Sequence, residues 1–293
     1  MESFTKYSLD TCAMLVEVSV RQWTARKLDR STTDELVASK NAGSKGAARV
    51  NKNLLAGRPE LEQINKLAGD IRTYLYTVTL PWSDSGLRLL TTARFMEFNE
   101  RMQEYEDRFN EMVDGFVDTY PTLITAQAMA LGDMFNRNDY PTPSDIKHRF
   151  SINVNYMPVP TSGDFRVDVG NDAQEELKKK LAKLADQRIE QAMGDIKERI
   201  KSHLERMSKQ LSVDIVNKEV IPRKFHDSLL HTAYELCDLA KDLNITQDAD
   251  LEQARLALLK AVDGVELKEL RKDMPTRNSV KADVDAILNK FNF

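Results

Sequence analysis

The feature that most constrains the fold is a line of bulky apolar residues without a break: Phe95, Phe98, Met102, Tyr105, Phe109, Met112, Phe116 and Tyr120. Steps of three and four place them on one side of an α-helix. A second line runs Leu177, Leu181, Leu184, Ile189, Met193, Ile196, Ile200, Leu204, Met207 and Leu211. Helices of these lengths reach roughly 50 and 60 Å at 1.5 Å per residue. Each exposes more apolar surface than a soluble monomer tolerates, so each stripe must be covered. The simplest cover is the other stripe. The sequence therefore predicts two long antiparallel helices whose seams face one another, with Pro121 ending the first and opening a shorter helix to about Asn136.

The period changes between and before these helices. Residues 150–157 and 164–169 alternate around a Ser-Gly-Asp turn and read as a β-hairpin. Val16, Val18 and Val20 alternate with Glu17, Ser19 and Arg21, which reads as a strand over 13–23 able to join that hairpin. A short helix is expected near Asp34–Ser39, another from about Ala47 to Ala56, and a third from Pro59 through Leu61, Ile64, Leu67, Ile71, Leu75 and Val78. Past Pro222, helices are expected over 223–243, 248–262 and 278–291. The fold class is mainly α with a small antiparallel β-sheet (α+β). Its domains are a strand and basic loop over 1–58, a long-helix pair with the hairpin at 150–169 over 59–215, and short helices over 216–293.

Charge sorts the function classes. A net charge of −4 excludes a globally basic nucleic-acid coat but not a local patch. From Arg21 to Arg58 there are nine Lys/Arg against three Asp/Glu. Trp23, Arg26, Lys27, Lys45, Arg49, Lys52 and Arg58 are accordingly the candidate nucleic-acid contacts, an aromatic for stacking beside cations for phosphate. Equally, Trp23 belongs to a core and the cations are solvated. The stretch "AGSKGAARVNKNLLAGR" (42–58) has neither the spacing of a Walker loop nor a strand before it, and no GxGxxG occurs. The GXXG formed by residues 43–46 is too short to identify an RNA-binding loop. The far side of the first long helix is acidic, with eight Asp/Glu against three Arg between Arg94 and Asp118.

Enzyme chemistry finds no anchor. There is no GxSxG elbow or HExxH pair, and Cys12 and Cys237 are too few for a disulfide framework or a cysteine metal site. His226, His231 and Cys237 do not share one helical face. No catalytic residue, metal or cofactor is predicted. No basic n-region with an apolar core opens the chain and no apolar run reaches the roughly 20 residues of a span, so a cytoplasmic protein without membrane contact is expected.

"WTARKLD" (23–29), "GAARVNKNLL" (46–55), "PWSDSGLRLL" (81–90), "YPTPSDIKHRF" (140–150) and "PVPTSGDFRV" (158–167) together resemble a bacteriophage and bacterial mobile-element family of unknown function, often encoded near MoxR-type AAA+ ATPases. The resemblance covers about residues 10–170. It implies a phage or mobile-element setting, the host cytoplasm if phage-encoded, and a phage or host partner such as an AAA+ ATPase; it supplies no catalytic residues. The expected function is a non-enzymatic interaction or assembly protein that binds a macromolecule and self-associates. The alternatives are a single-stranded nucleic-acid-binding or annealing protein using residues 21–58, and an enzyme with an unrecognised site.

Overall fold

The computed structural model describes residues 9–44, 46–160, 171–216 and 219–291. Along the chain come α1 (Leu9–Cys12), β1 (Ala13–Arg21), β2 (Arg26–Leu28), α2 (Arg30–Ser39), β3 (Asn51–Asn53), α3 (Pro59–Val78), β4 (Leu80–Pro81) and β5 (Arg88–Thr91). Then follow α4 (Phe95–Leu131), α5 (Pro143–Lys147), β6 (Ser151–Pro158), α6 (Asn171–Leu211), β7 (Val213–Val216) and β8 (Glu219–Pro222). Four helices close the described chain: α7 (Ser228–Leu243), α8 (Ala249–Val262), α9 (Leu267–Lys272) and α10 (Met274–Lys290). The protein is mainly α-helical with small antiparallel sheets.

Two compact units, each made of separate chain segments, make up the chain. Their bounds are Met1–Glu17, Tyr76–Phe98 and Asn155–Phe293 for the first, and Val18–Leu75 and Asn99–Val154 for the second.

The first unit holds most of a four-stranded sheet of order β4-β5-β1-β6, in which β1 and β5 pair antiparallel with Leu15 opposite Leu89 and Val16 opposite Arg88. An interior strand is covered on both faces, so Leu15 and Val16 are both buried although they point opposite ways. Beyond Val16 the strand is only half-buried, and the alternation of Val18 and Val20 with polar residues appears there. The stripe of α6 from Ile189 to Leu211 joins one apolar cluster with Leu229, Ala233 and Leu236 of α7, Leu251 and Leu258 of α8, and Val280, Val284 and Ile287 of α10.

The end of α6 is closed by a buried cation. Arg277 of α10, 2 % exposed, donates to the carbonyls of Gln210 (2.7 Å), Leu211 (2.8 Å) and Ser212 (3.4 Å). It also reaches the carbonyls of Arg223 (2.7 Å) and Leu270 (3.3 Å), and lies over the Phe225 ring. The last carbonyls of a helix lack partners along the helix and carry its negative end, which is where a guanidinium belongs. Arg199 and Arg88 do the same for α3, both donating to the carbonyls of Tyr76 and Thr79.

The second unit is organised by α4. Phe109 and Phe116 meet Phe150, Tyr120 stands edge-on to Trp23 at 5.9 Å, and Tyr105 lies beside Tyr74 of α3. The two long stripes therefore fill different cores. The expected α4–α6 seam is not what buries either helix: α6 is covered by the short C-terminal helices and β4, whereas α4 meets Tyr156 at its start and Tyr74, Phe150 and Trp23 further along.

Other expectations are corrected. The helix expected over 47–56 is β3 and a turn, because Asp29 N–H bonds the Val50 carbonyl, Val50 N–H bonds the Thr33 hydroxyl, and Leu54 N–H bonds the Ala25 carbonyl. These tertiary bonds outweigh the helix preference of two alanines. Pro121 does not end α4, which continues to Leu131. β6 is the expected first hairpin arm and lies beside β1, as expected of a strand over 13–23 that joins it; the second arm at 164–169 lies outside the described residues. The helix expected to start at 223 starts at Ser228, and α10 starts at Met274, where the Asp273 side chain accepts from Thr276 N–H.

Candidate functional site

The residues predicted for nucleic-acid contact gather on and around the β2–β3 hairpin of the second unit. Its register sets Arg26 opposite Asn53, Lys27 opposite Lys52 and Leu28 opposite Asn51. Two lysines directly opposite on one face repel each other. Here an aspartate separates them: Asp139, on the turn between α4 and α5, lies 2.8 Å from the Lys27 ammonium through Oδ1 and 2.5 Å from that of Lys52 through Oδ2. The Lys52 and Asp139 side chains are only 9 % and 6 % exposed, whereas that of Lys27 is half exposed. Lys52 also donates to the Met134 carbonyl at 3.0 Å. Burial pushes the Asp139 carboxyl up, but the hydrogen bonds and charges of Lys27 and Lys52 outweigh it and hold the group below its ordinary range. The turn itself is pinned by Tyr140, whose hydroxyl donates to the Leu54 carbonyl at 2.8 Å.

Trp23 is removed from the candidate contacts by its packing against Tyr120, which leaves it 7 % exposed and without a free face for a base. Arg58 is half-buried, and its Nε has no hydrogen-bond partner among the described residues. Lys45 lies outside the described residues. Arg26 and Arg49 are exposed, and neither forms an ion pair among the described residues. The hairpin thus sets Lys27 and Lys52 opposite one another, and the single carboxylate of Asp139 offsets one of their two charges. Sequence reasoning missed Asp139. Nothing in "NRNDYP" points to positions 27 and 52, since the link is made only by the turn folding back onto the hairpin.

A second surface is the outer side of α4. Glu97, Glu100, Glu104, Asp107, Glu111, Asp114 and Asp118 are all exposed and step by three and four, forming a carboxylate ribbon roughly 30 Å long at helical rise. Three of them form ion pairs, Glu97 with Arg94 at 3.4 Å, Glu104 with Arg101 at 2.7 Å and Asp114 with Lys147 at 2.6 Å, and Asp107 accepts a hydrogen bond from Gln103 Nε2 at 3.3 Å. Glu100, Glu111 and Asp118 have no ion pair among the described residues. Near the helix end Met129 is 91 % exposed, an apolar side chain standing in water.

Cys237 is buried, and burial pushes its thiol up to about 11, away from nucleophilic behaviour. His231 pairs with Glu235 on an exposed helix face. No helix among the described residues is long and apolar enough to cross a membrane. No known protein family, curated protein or solved structure matches this chain.

Proposed function

We propose that this protein acts by binding a macromolecular partner and by self-association, without catalysis. The observation that carries this reading is the α4 ribbon: seven carboxylates held on one line by a helix whose opposite side is locked into an aromatic core. A rigid helix presenting a single sign of charge favours a cationic counterpart and raises its encounter rate. The partner is another copy of the chain or a second protein; the resemblance found in the sequence makes an AAA+ ATPase of a phage or its host, in the host cytoplasm, the first candidate. Cross-linking in cells followed by capture, with and without nuclease, tests this. Proteins cross-linked to the wild type are expected to survive nuclease and to be lost with Glu104→Lys/Asp107→Lys/Glu111→Lys. An unchanged set of partners for the folded triple variant would overturn the ribbon's role.

A second reading, single-stranded nucleic-acid binding, has one specific support: Arg26, Lys27, Lys52 and the nearby Arg49 concentrate positive charge at one short hairpin. The burial of Trp23 removes the stacking half of that proposal and leaves phosphate contact alone.

A further inference from the structure

We propose that Lys27 and Lys52 form a phosphate-accepting pair kept closed by Asp139, and that displacing this carboxylate opens the hairpin to the backbone of a single-stranded nucleic acid. The inference rests on the nucleic-acid reading of the hairpin and adds how that site is regulated.

The geometry carries it. One lysine would suffice to fasten the α4–α5 turn to the hairpin; the second places a like charge directly opposite the first. Both ammoniums converge on one carboxylate, one on each oxygen, at 2.8 and 2.5 Å. A phosphodiester offers the same arrangement, two equivalent acceptor oxygens sharing one negative charge. Two positive charges against one also leave a local excess of one. The Lys27 side chain is half exposed and gives an incoming phosphate its approach. The Asp139 side chain has to rotate away, while Tyr140 keeps the turn anchored through the Leu54 carbonyl.

The test is Asp139→Asn, which keeps shape and removes the competing charge. The probe is a fluorescein-labelled oligothymidylate, followed by anisotropy over a salt series. The variant is expected to bind about tenfold tighter than wild type. Its plot of log affinity against log salt should be steeper by about 0.7, the value of one single-strand phosphate no longer exchanged for a carboxylate. Adding Lys27→Met should abolish the gain. Equal affinity and slope for wild type and folded variant would overturn the latch while leaving nucleic-acid binding at another place. No binding by either at low salt would overturn both. Equally tight binding of polyglutamate to the variant would overturn the assignment to nucleic acid. Should Asp139→Asn fail to fold, Lys27→Met alone, which keeps Lys52 paired with Asp139, is expected to weaken wild-type binding several-fold; unchanged binding refutes the site.

Discussion

Replacing Arg277 by Met should be among the most damaging changes to the first unit. The methionine fills most of the same space, so the loss is chiefly polar. Three hydrogen bonds at 2.7–2.8 Å disappear, to the carbonyls of Gln210, Leu211 and Arg223. Charged hydrogen bonds of this kind contribute about 2 kcal/mol each, roughly 6 in all. Against that, the variant avoids the desolvation of a guanidinium that is almost entirely buried, which offsets roughly 2–3 kcal/mol. The α6 terminus also loses a cation at its negative end, worth about 1 kcal/mol. The net loss is about 4 kcal/mol, a large fraction of a typical domain's stability. In thermal melts followed by circular dichroism it corresponds to a fall of roughly 8–16 °C. Arg277→Lys keeps the charge but reaches fewer carbonyls, and should lose about half as much. Urea denaturation of both variants beside wild type supplies the free energies. If Arg277→Met lay within about 0.5 kcal/mol of wild type, the capping of α6 by this side chain would be wrong.

Three further predictions use other parts of the fold. Burial, with Arg206 adding a smaller effect, holds the His203 imidazole at about 4 when folded against 6.5 as a free side chain, so the unfolded chain binds the extra proton between those values. Stability should therefore fall as pH drops from about 6.5 toward 4, by up to roughly 3 kcal/mol; His203→Leu should flatten that window in urea titrations, and an unchanged pH slope would refute the assignment. Pro121→Ala should raise stability by about 1–3 kcal/mol, since α4 runs through this exposed position; a loss would mean that the proline shapes a needed break. Trp23→Ala should cost about 3–5 kcal/mol as a core truncation, whereas a base-stacking surface tryptophan would cost almost nothing in the same melt.

What the sequence made legible follows the physical range of each signal. α3, α4 and α6 carry apolar residues at helical spacing for twenty positions or more, and all three are present, α3 and α6 within a few residues of their expected bounds and α4 running ten residues past Pro121. The partners of those helices were not legible, because a stripe states that it must be covered and not by what. Short strands escaped for a related reason. β2, β3, β4, β7 and β8 have two to four residues each, too few for a period of two to register, and β3 exists because of hydrogen bonds to Ala25, Asp29 and Thr33. Likewise Arg277, in "MPTRNSVKA", reads as one more solvated cation on a helix, and Asp139 as a turn residue. The cationic character of 21–58 was visible in composition; which of its charges are already spent inside the protein depended on a turn far along the chain.

The most direct measurement on the account as a whole is the mass of the intact protein by multi-angle light scattering across a wide concentration range, at low and high salt. Binding through charged helix faces predicts species heavier than 33.4 kDa that grow with concentration, shrink with salt and vanish for Glu104→Lys/Asp107→Lys/Glu111→Lys. A mass fixed at that of one chain under every condition would contradict self-association, and a triple variant that assembles as well as wild type would strip the α4 ribbon of its role.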